Sequence, residues 1–278
     1  MAEKTKLPLN PAAVLGILKE IRAGTEKEKP LVVAGARGLA SALRKELVRG
    51  GVGSAVREQE GLEDAAALIY VLAGQLRGDD EELLRRAGRA KVPIVCVLTG
   101  PGTEEAPAIP YVRAGDVIRV RGGSGFPVEG IGRALARRLG EKATPLAARL
   151  PVLRRPVCEE LIARFSRQNA LVGAAVFVPG ADMPVLTVNQ IRLVLRIADA
   201  YGFEVDRERI PELLAVLGSG FGFRALAREA LGAIPVAGWA LKGAVAYAGT
   251  RALGEAAMRY FERRAPVTRV AGDRARFP

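Results

Sequence analysis

The stretch PLVVAGARGLASALRKELVRGG, Pro30 to Gly51, places an apolar run before a glycine turn and a helical pattern. A strand, turn and helix in this order can hold a phosphate, because the first amides of a helix point out of its N-terminus and its dipole favours negative charge. Phosphoryl transfer asks for more. In G-x-x-x-x-G-K-[ST] the backbone amides cradle the phosphates, the lysine reaches their charge and the hydroxyl holds magnesium. Laid over Gly35, that pattern falls on Ala40, Ser41 and Ala42, so the second glycine, the lysine and the hydroxyl are all replaced. Lys45 lies a helical turn further on and is expected to point away from the loop. What is left is a weak remnant, Gly35, Gly38 and Ser41. It has two readings: a phosphate held by amides and dipole alone, or a plain strand-to-helix turn, which the sequence favours.

Other chemistry is thinly supplied. The chain has no histidine, which removes Ser-His and Cys-His nucleophile pairs, histidine bases and the commonest zinc sites. Two cysteines, Cys96 and Cys158, are too few for a disulfide framework or a thiolate cage, and Cys96 reads as a small core residue. The acidic candidates Asp64, Asp79, Asp80 and Asp116 read better as loop, cap or surface residues. No catalytic residue, cofactor or metal is therefore expected.

A formal charge of +12 accompanies 49% apolar and 5% aromatic residues in 278. The arginine-rich composition is read first as a compositional or thermal habit, next as attraction to anionic lipid, and last as nucleic-acid binding, since aromatic interleaving is missing. The N-terminus lacks the long apolar core and cleavage site of a signal peptide, so the expected location is cytoplasmic, with the inner face of the cell membrane as the peripheral alternative.

These residues need elements to position them. Residues 1–29 read as a polar start, a short helix from Pro11 to Ala23 and a charged linker. From Leu31, strands (LVVAG, SAVRE, AALIYVLAG, VPIVCVLTG, DVIRVRGG) alternate with helical patterns, which argues for a parallel sheet. An α/β domain is assigned to 30–142. The segment 143–156, with three prolines and several arginines, reads as a linker. Residues 157–264 read as entirely helical, and 265–278 as a mobile tail. The fold class is α/β followed by all-α.

The α/β segment resembles an Era-like or Ras-like GTPase domain in element order, over about Leu31 to Gly140. Thr99, Gly100, Pro101 and Gly102 occupy the positions of the guanine-reading N-K-x-D, and Arg121 and Gly122 those of the later Ser-Ala pair. The resemblance implies a degenerate, P-loop-like pseudo-GTPase domain whose switch segments are missing. Further on, PGADMPVLTVNQIRLVLRIADAYG, LLAVLGSGFGFRALAREAL and IPVAGWALKGAVAYAGTRALGEAAMRYFE resemble the bacterial domain of unknown function found in YcjF-type proteins behind Era-like GTPase domains, over about Phe165 to Glu262.

Three features of this half have physical readings. Asp182, before Pro184, suits an N-cap; Asn189 and Arg192 follow on the same helix, either as a polar patch with Asp182 or, as favoured, solvated. Gly218, Gly220 and Gly222, among Phe221 and Phe223, read as a tight helix-to-helix turn. Ala240, Ala244, Ala248, Ala252 and Ala256 form a small-residue stripe that lets another backbone approach. LGAIPVAGWALKGAVAYAG has the length of a membrane span, but Lys242 near its middle argues against insertion.

The expected function is that of a non-enzymatic regulatory or scaffold protein, a pseudo-GTPase domain fused to a helical module. The expected partners are a protein, a GTPase among the candidates, or an anionic membrane surface; nucleic acid is disfavoured and a homo-oligomer is admitted. The alternatives are a membrane-associated GTPase relative with residual nucleotide binding, and a helical membrane-remodelling module.

Overall fold

The computed structural model describes residues 11–26, 29–58, 61–100, 109–120, 125–175, 183–204, 210, 213, 238–265 and 275–276. These fall into two compact units: 29–160, and 11–26 with 161–265 and 275–276.

In the first unit, the continuous apolar runs become strands buried on both faces, as parallel strands are: β1 (Leu31–Gly35), β3 (Ala67–Ala73) and β4 (Ile94–Thr99). Two short edge strands, β2 (Val56–Glu58) and β5 (Val117–Arg119), complete a parallel five-stranded sheet of order β2-β1-β3-β4-β5. Helices α2 (Arg37–Val48), α3 (Gly78–Arg89) and α4 (Val128–Leu139) connect successive strands or follow the last. Alternate residues Val32, Ala34, Leu68, Tyr70, Leu72, Ile94, Cys96 and Leu98 form one core with Leu84 and Ala87 of α3. The strand order reverses at β1, so the crevice where such sheets bind ligands lies at the carboxyl ends of β1 and β3.

The segment 143–156 is not a linker. It forms α5 (Thr144–Arg149) and the start of α6 (Pro151–Ala175). Pro145 and Pro151 stand in the first turns of these helices, where a missing N–H costs nothing. Only Pro156 lies inside α6, and Gly132 of α4 leaves room for it: a Cβ there would sit 2.7 Å from the Pro156 ring. Leu146, Ala147, Leu150 and Leu153 are fully buried, so the composition that looked like a hinge is packed core. The Val52 amide bonds the Arg149 carbonyl at 2.9 Å and ties α5 to the residues before β2.

The second unit contains α1 (Pro11–Glu26), the C-terminal part of α6, α7 (Met183–Ala200) and α8 (Gly238–Arg264). The first helix runs past Ala23 and is no isolated leader: Val14, Ile17 and Ile21 are buried, and it packs on α7. Strand pairing exists here too, between β6 (Phe203–Glu204) and β7 (Ala275–Arg276), so part of the expected tail is paired. Phe203 packs on Phe261 with ring centroids 5.3 Å apart. The expected turn at Gly218, Gly220 and Gly222 and most of the two helices around it lie outside the described residues.

One carboxylate departs from its sequence reading. Asp116, expected at a cap or surface, is 4% exposed in the turn before β5 and pairs with Arg138 of α4 at 3.2 Å. Removing one partner strands the other charge, whereas removing both does not. Asp116→Asn should therefore cost about 3 kcal/mol in chemical denaturation, and Asp116→Asn with Arg138→Met should cost less than Asp116→Asn alone.

Candidate functional site

At the crevice of the parallel sheet, β1 passes into α2 through the single residue Ala36. The Ala36 amide is spent on the Val71 carbonyl of β3, at 2.9 Å. Gly35 takes φ +107°, and a Cβ there would lie 2.0 Å from the Val71 oxygen. Its glycine is thus required by the approach of β1 to β3. A loop cradle needs several successive amides converging on one point; this connection has one residue, whose amide is already bonded, and beyond it only the first-turn amides of α2. Gly38 and Ser41 fall within α2: Gly38 is exposed with open space around its Cα, Ser41 is half-buried, and no side chain caps the helix. Lys45 is exposed on α2, as its spacing suggested.

Beside the crevice, α3 starts with a one-sided cap in which the Arg77 amide donates to Asp80 Oδ2 at 2.8 Å. The buried Tyr70 hydroxyl donates to Asp80 Oδ1. Burial first, and then Asp80, push the Tyr70 hydroxyl well above its ordinary range. The same two causes in the same order push the Cys96 thiol from 9.0 up to about 12. Neither is a nucleophile near neutral pH. Asp80 caps a helix and orients a buried phenol, as its position in the first turn suggested.

The second unit holds the densest polar arrangement. Asn169 of α6 is fully buried and donates through Nδ2 to Thr250 Oγ1 of α8 at 2.8 Å. Asn189 of α7 donates to Asn169 Oδ1, also at 2.8 Å. Three helices are thereby joined by two side-chain bonds. Ser166, one turn before Asn169, is fully buried and its hydroxyl finds no partner among the described residues. Arg192 donates to both carboxylate oxygens of Glu20 in α1, at 2.8 and 3.0 Å, and Arg196 donates to the same carboxylate at 2.7 Å. Asn189 and Arg192, expected to be solvated, each meet another helix instead; Asp182 lies outside the described residues. Asn169, Thr250, Arg196 and Glu20 were missed. The isolated polar residues of SRQN within an apolar helical stripe were the available signal.

The alanine stripe of α8 is not its packing face. Ala244 and Ala248 are exposed, Ala252 and Ala256 half-buried, and the side chain of Ala240 lies outside the described residues. The buried face is Gly243, Thr250, Gly254, Ala257 and Phe261. A Cβ on Gly243 would come within 3.0 Å of the Ala170 carbonyl, and one on Gly173 within 3.1 Å of the Lys242 carbonyl. Glycines on both helices bring the backbones of α6 and α8 together, one position round from the alanines. Among the described residues no group of side chains could hold a metal ion, and no helix is long and apolar enough to cross a membrane.

Residues 137–274 match the family model described as "Domain of unknown function (DUF697)". The C-terminal half thus carries a domain of unknown function, and the match opens inside α4, with residues 137–160 packed in the α/β unit. No curated protein and no solved structure matches the chain.

The two glycines of the β1–α2 connection should respond oppositely to alanine. Gly35→Ala should cost roughly 3 kcal/mol or more, from backbone strain and the Val71 clash; Gly38→Ala should stabilise by about 0.5 kcal/mol, through helix propensity in open space. Thermal or urea unfolding separates them. The raised Cys96 value also sets a pH window. Between 9.0 and about 12 the unfolded chain loses the thiol proton and the folded chain keeps it, so stability falls as pH rises through that interval and is indifferent to this group below it. The urea midpoint should drop between pH 8 and pH 10.5, and drop less in Cys96→Ala.

Proposed function

We propose that the chain is a non-enzymatic regulatory or scaffold protein, a degenerate GTPase-like α/β unit joined to a helical module that binds a protein partner or an anionic membrane surface. The observation that carries this reading is the one-residue passage from β1 to α2, whose amide is already bonded to Val71. It offers no run of loop amides to gather round a triphosphate. The lysine and the magnesium-binding hydroxyl are also missing from the positions where they would act. The groups nearest the crevice, Tyr70 and Cys96, are held in their neutral forms.

The helical module supports a binding role by its construction. Its polar side chains are used between helices, and its outer surface keeps cations such as Arg251, Arg259 and Arg263 exposed on α8. With a formal charge of +12 the chain favours acidic partners or anionic lipid.

Calorimetric titration with GTP, GDP and ATP in the presence of magnesium should give no saturable binding. A micromolar dissociation constant that depends on magnesium would overturn the proposal. Flotation with anionic liposomes at low salt separates the two classes of partner: co-flotation that salt abolishes indicates the lipid surface, and protein remaining at the bottom indicates a protein partner.

A further inference from the structure

A cavity of about 320 Å³ opens in the α/β unit at the amino end of β4, away from the crevice at the carboxyl ends of β1 and β3. Val92, Pro93 and Ile94 form its apolar lining. Lys91 enters it from the end of α3, Tyr111 from the segment before β5, and Arg138 from the last turn of α4. Two of these residues stand where the backbone suits glycine. Among the described residues, Lys91 and Tyr111 are the non-glycine residues with positive φ, at +56° and +65°. The Lys91 amide bonds the Gly88 carbonyl at 3.1 Å and the Val92 amide bonds Ala87 at 3.0 Å, a helix ending that usually has glycine at the position of Lys91. Tyr111 follows Pro110 in a turn that the Val112 amide closes on the Ile109 carbonyl at 3.2 Å, and a positive φ there again favours glycine.

A bulky residue held at positive φ is strained, and such strain gathers at ligand sites. Here both strained residues line one cavity. Gly88 shows the opposite choice: it lies inside α3, where glycine weakens a helix, and a Cβ on it would come 2.7 Å from the Tyr111 ring. Glycine is absent where the backbone favours it and present where the helix disfavours it, and both choices bring Tyr111 beside Lys91. The ring is 56% exposed even so. Two cations and no carboxylate belong to the lining. Asp116 stands behind it, buried, with its Oδ2 3.2 Å from Arg138 Nε, so it offsets the arginine and leaves the lysine as the net charge. A guanidinium engaged along its Nε edge is fixed in orientation and has further N–H donors for a second acceptor.

From this we propose that the cavity binds a small planar monoanion, a single-ring aromatic carboxylate, with its ring against Tyr111 and its carboxylate between Lys91 and Arg138. The volume stands at the small end of ligand sites, which suits one ring. The apolar lining and the exposed phenol suit a flat apolar body. One net positive charge suits one negative charge. This site is independent of the β1–α2 connection and of whether that edge ever held a nucleotide.

The test titrates sodium benzoate into the full isotope-labelled chain and follows the amide chemical shifts by NMR. Saturable binding is expected, with the shifts centred on Val92 and Val112. Benzamide, which keeps the shape without the charge, and acetate, which keeps the charge without the ring, should each bind about tenfold more weakly. Lys91→Gly should weaken benzoate by about tenfold while raising the urea midpoint, because glycine suits the backbone there. Lost binding in a more stable chain separates the contact from misfolding. Lys45→Glu reverses an exposed charge on α2 and should leave binding unchanged, which separates the cavity from diffuse attraction to a basic chain. Benzoate that fails to saturate, benzamide binding equally well, phenyl phosphate binding more tightly than benzoate, shifts centred elsewhere, or Lys91→Gly binding like the parent would overturn the proposal.

Discussion

Where β1 leaves the sheet, the Ala36 amide meets the Val71 carbonyl at 2.9 Å and Gly35 has room for no side chain. The strand therefore runs directly into α2, and the register of β1 against β3 is carried up to Gly35, opposite Val71. Everything at the carboxyl edge follows from that contact. With one connecting residue, the Ala36 amide belongs to the sheet and its carbonyl opens the helix ladder by accepting from Ala40, so no run of loop amides is left to gather round a phosphate. The same closeness lets α2 lay Ala40, Leu43 and Leu47 onto the unit's interior. A wider loop would open a cradle and loosen that packing, so the two uses of this edge compete.

In the helical unit the governing constraint is the distance between helix backbones. Gly173 and Gly243 allow α6 and α8 to come so near that a methyl group on either would press on the other's carbonyl. At such a spacing long side chains cannot interleave, and short polar ones can bridge. Asn169, Thr250 and Asn189 do so with two bonds of 2.8 Å. A buried amide whose partners sit on two other helices tolerates only one register among the three, because a slip by one residue would leave Asn169 unpaired at a cost of about 1–3 kcal/mol. The glycines set the distance and the polar chain sets the alignment.

The sheet was legible because its central strands are unbroken apolar runs. Other elements misled for identifiable reasons. Proline and arginine in 143–156 look like a hinge, but Pro145 and Pro151 fall where helices begin and the leucines between them are buried. Asp116 has no local sign of its partner, since Arg138 lies on the far side of β5, in α4. The alanines of α8 repeat every fourth residue so regularly that they hide the neighbouring face of Gly243, Thr250 and Gly254, on which the helix actually packs. Likewise α1 reads as a short N-terminal helix ahead of a charged linker, because nothing in sequence joins Glu20 to arginines more than 170 positions away.

Sequence similarity and packing divide the chain at different places, and α6 explains why. The family match opens at residue 137, the packing units separate between Glu160 and Leu161, and α6 runs from Pro151 to Ala175 without a break. Its first turns bury Leu153 and Val157 in the α/β unit; its later turns bury Leu161, Ile162, Phe165 and Asn169 in the helical one. Each buried aliphatic side chain contributes roughly 1.5–3 kcal/mol, so a cut anywhere in 143–160 strips one unit of several such contacts. The helix is a structural member of both units, and a domain defined by similarity alone carries with it a piece of its neighbour's core.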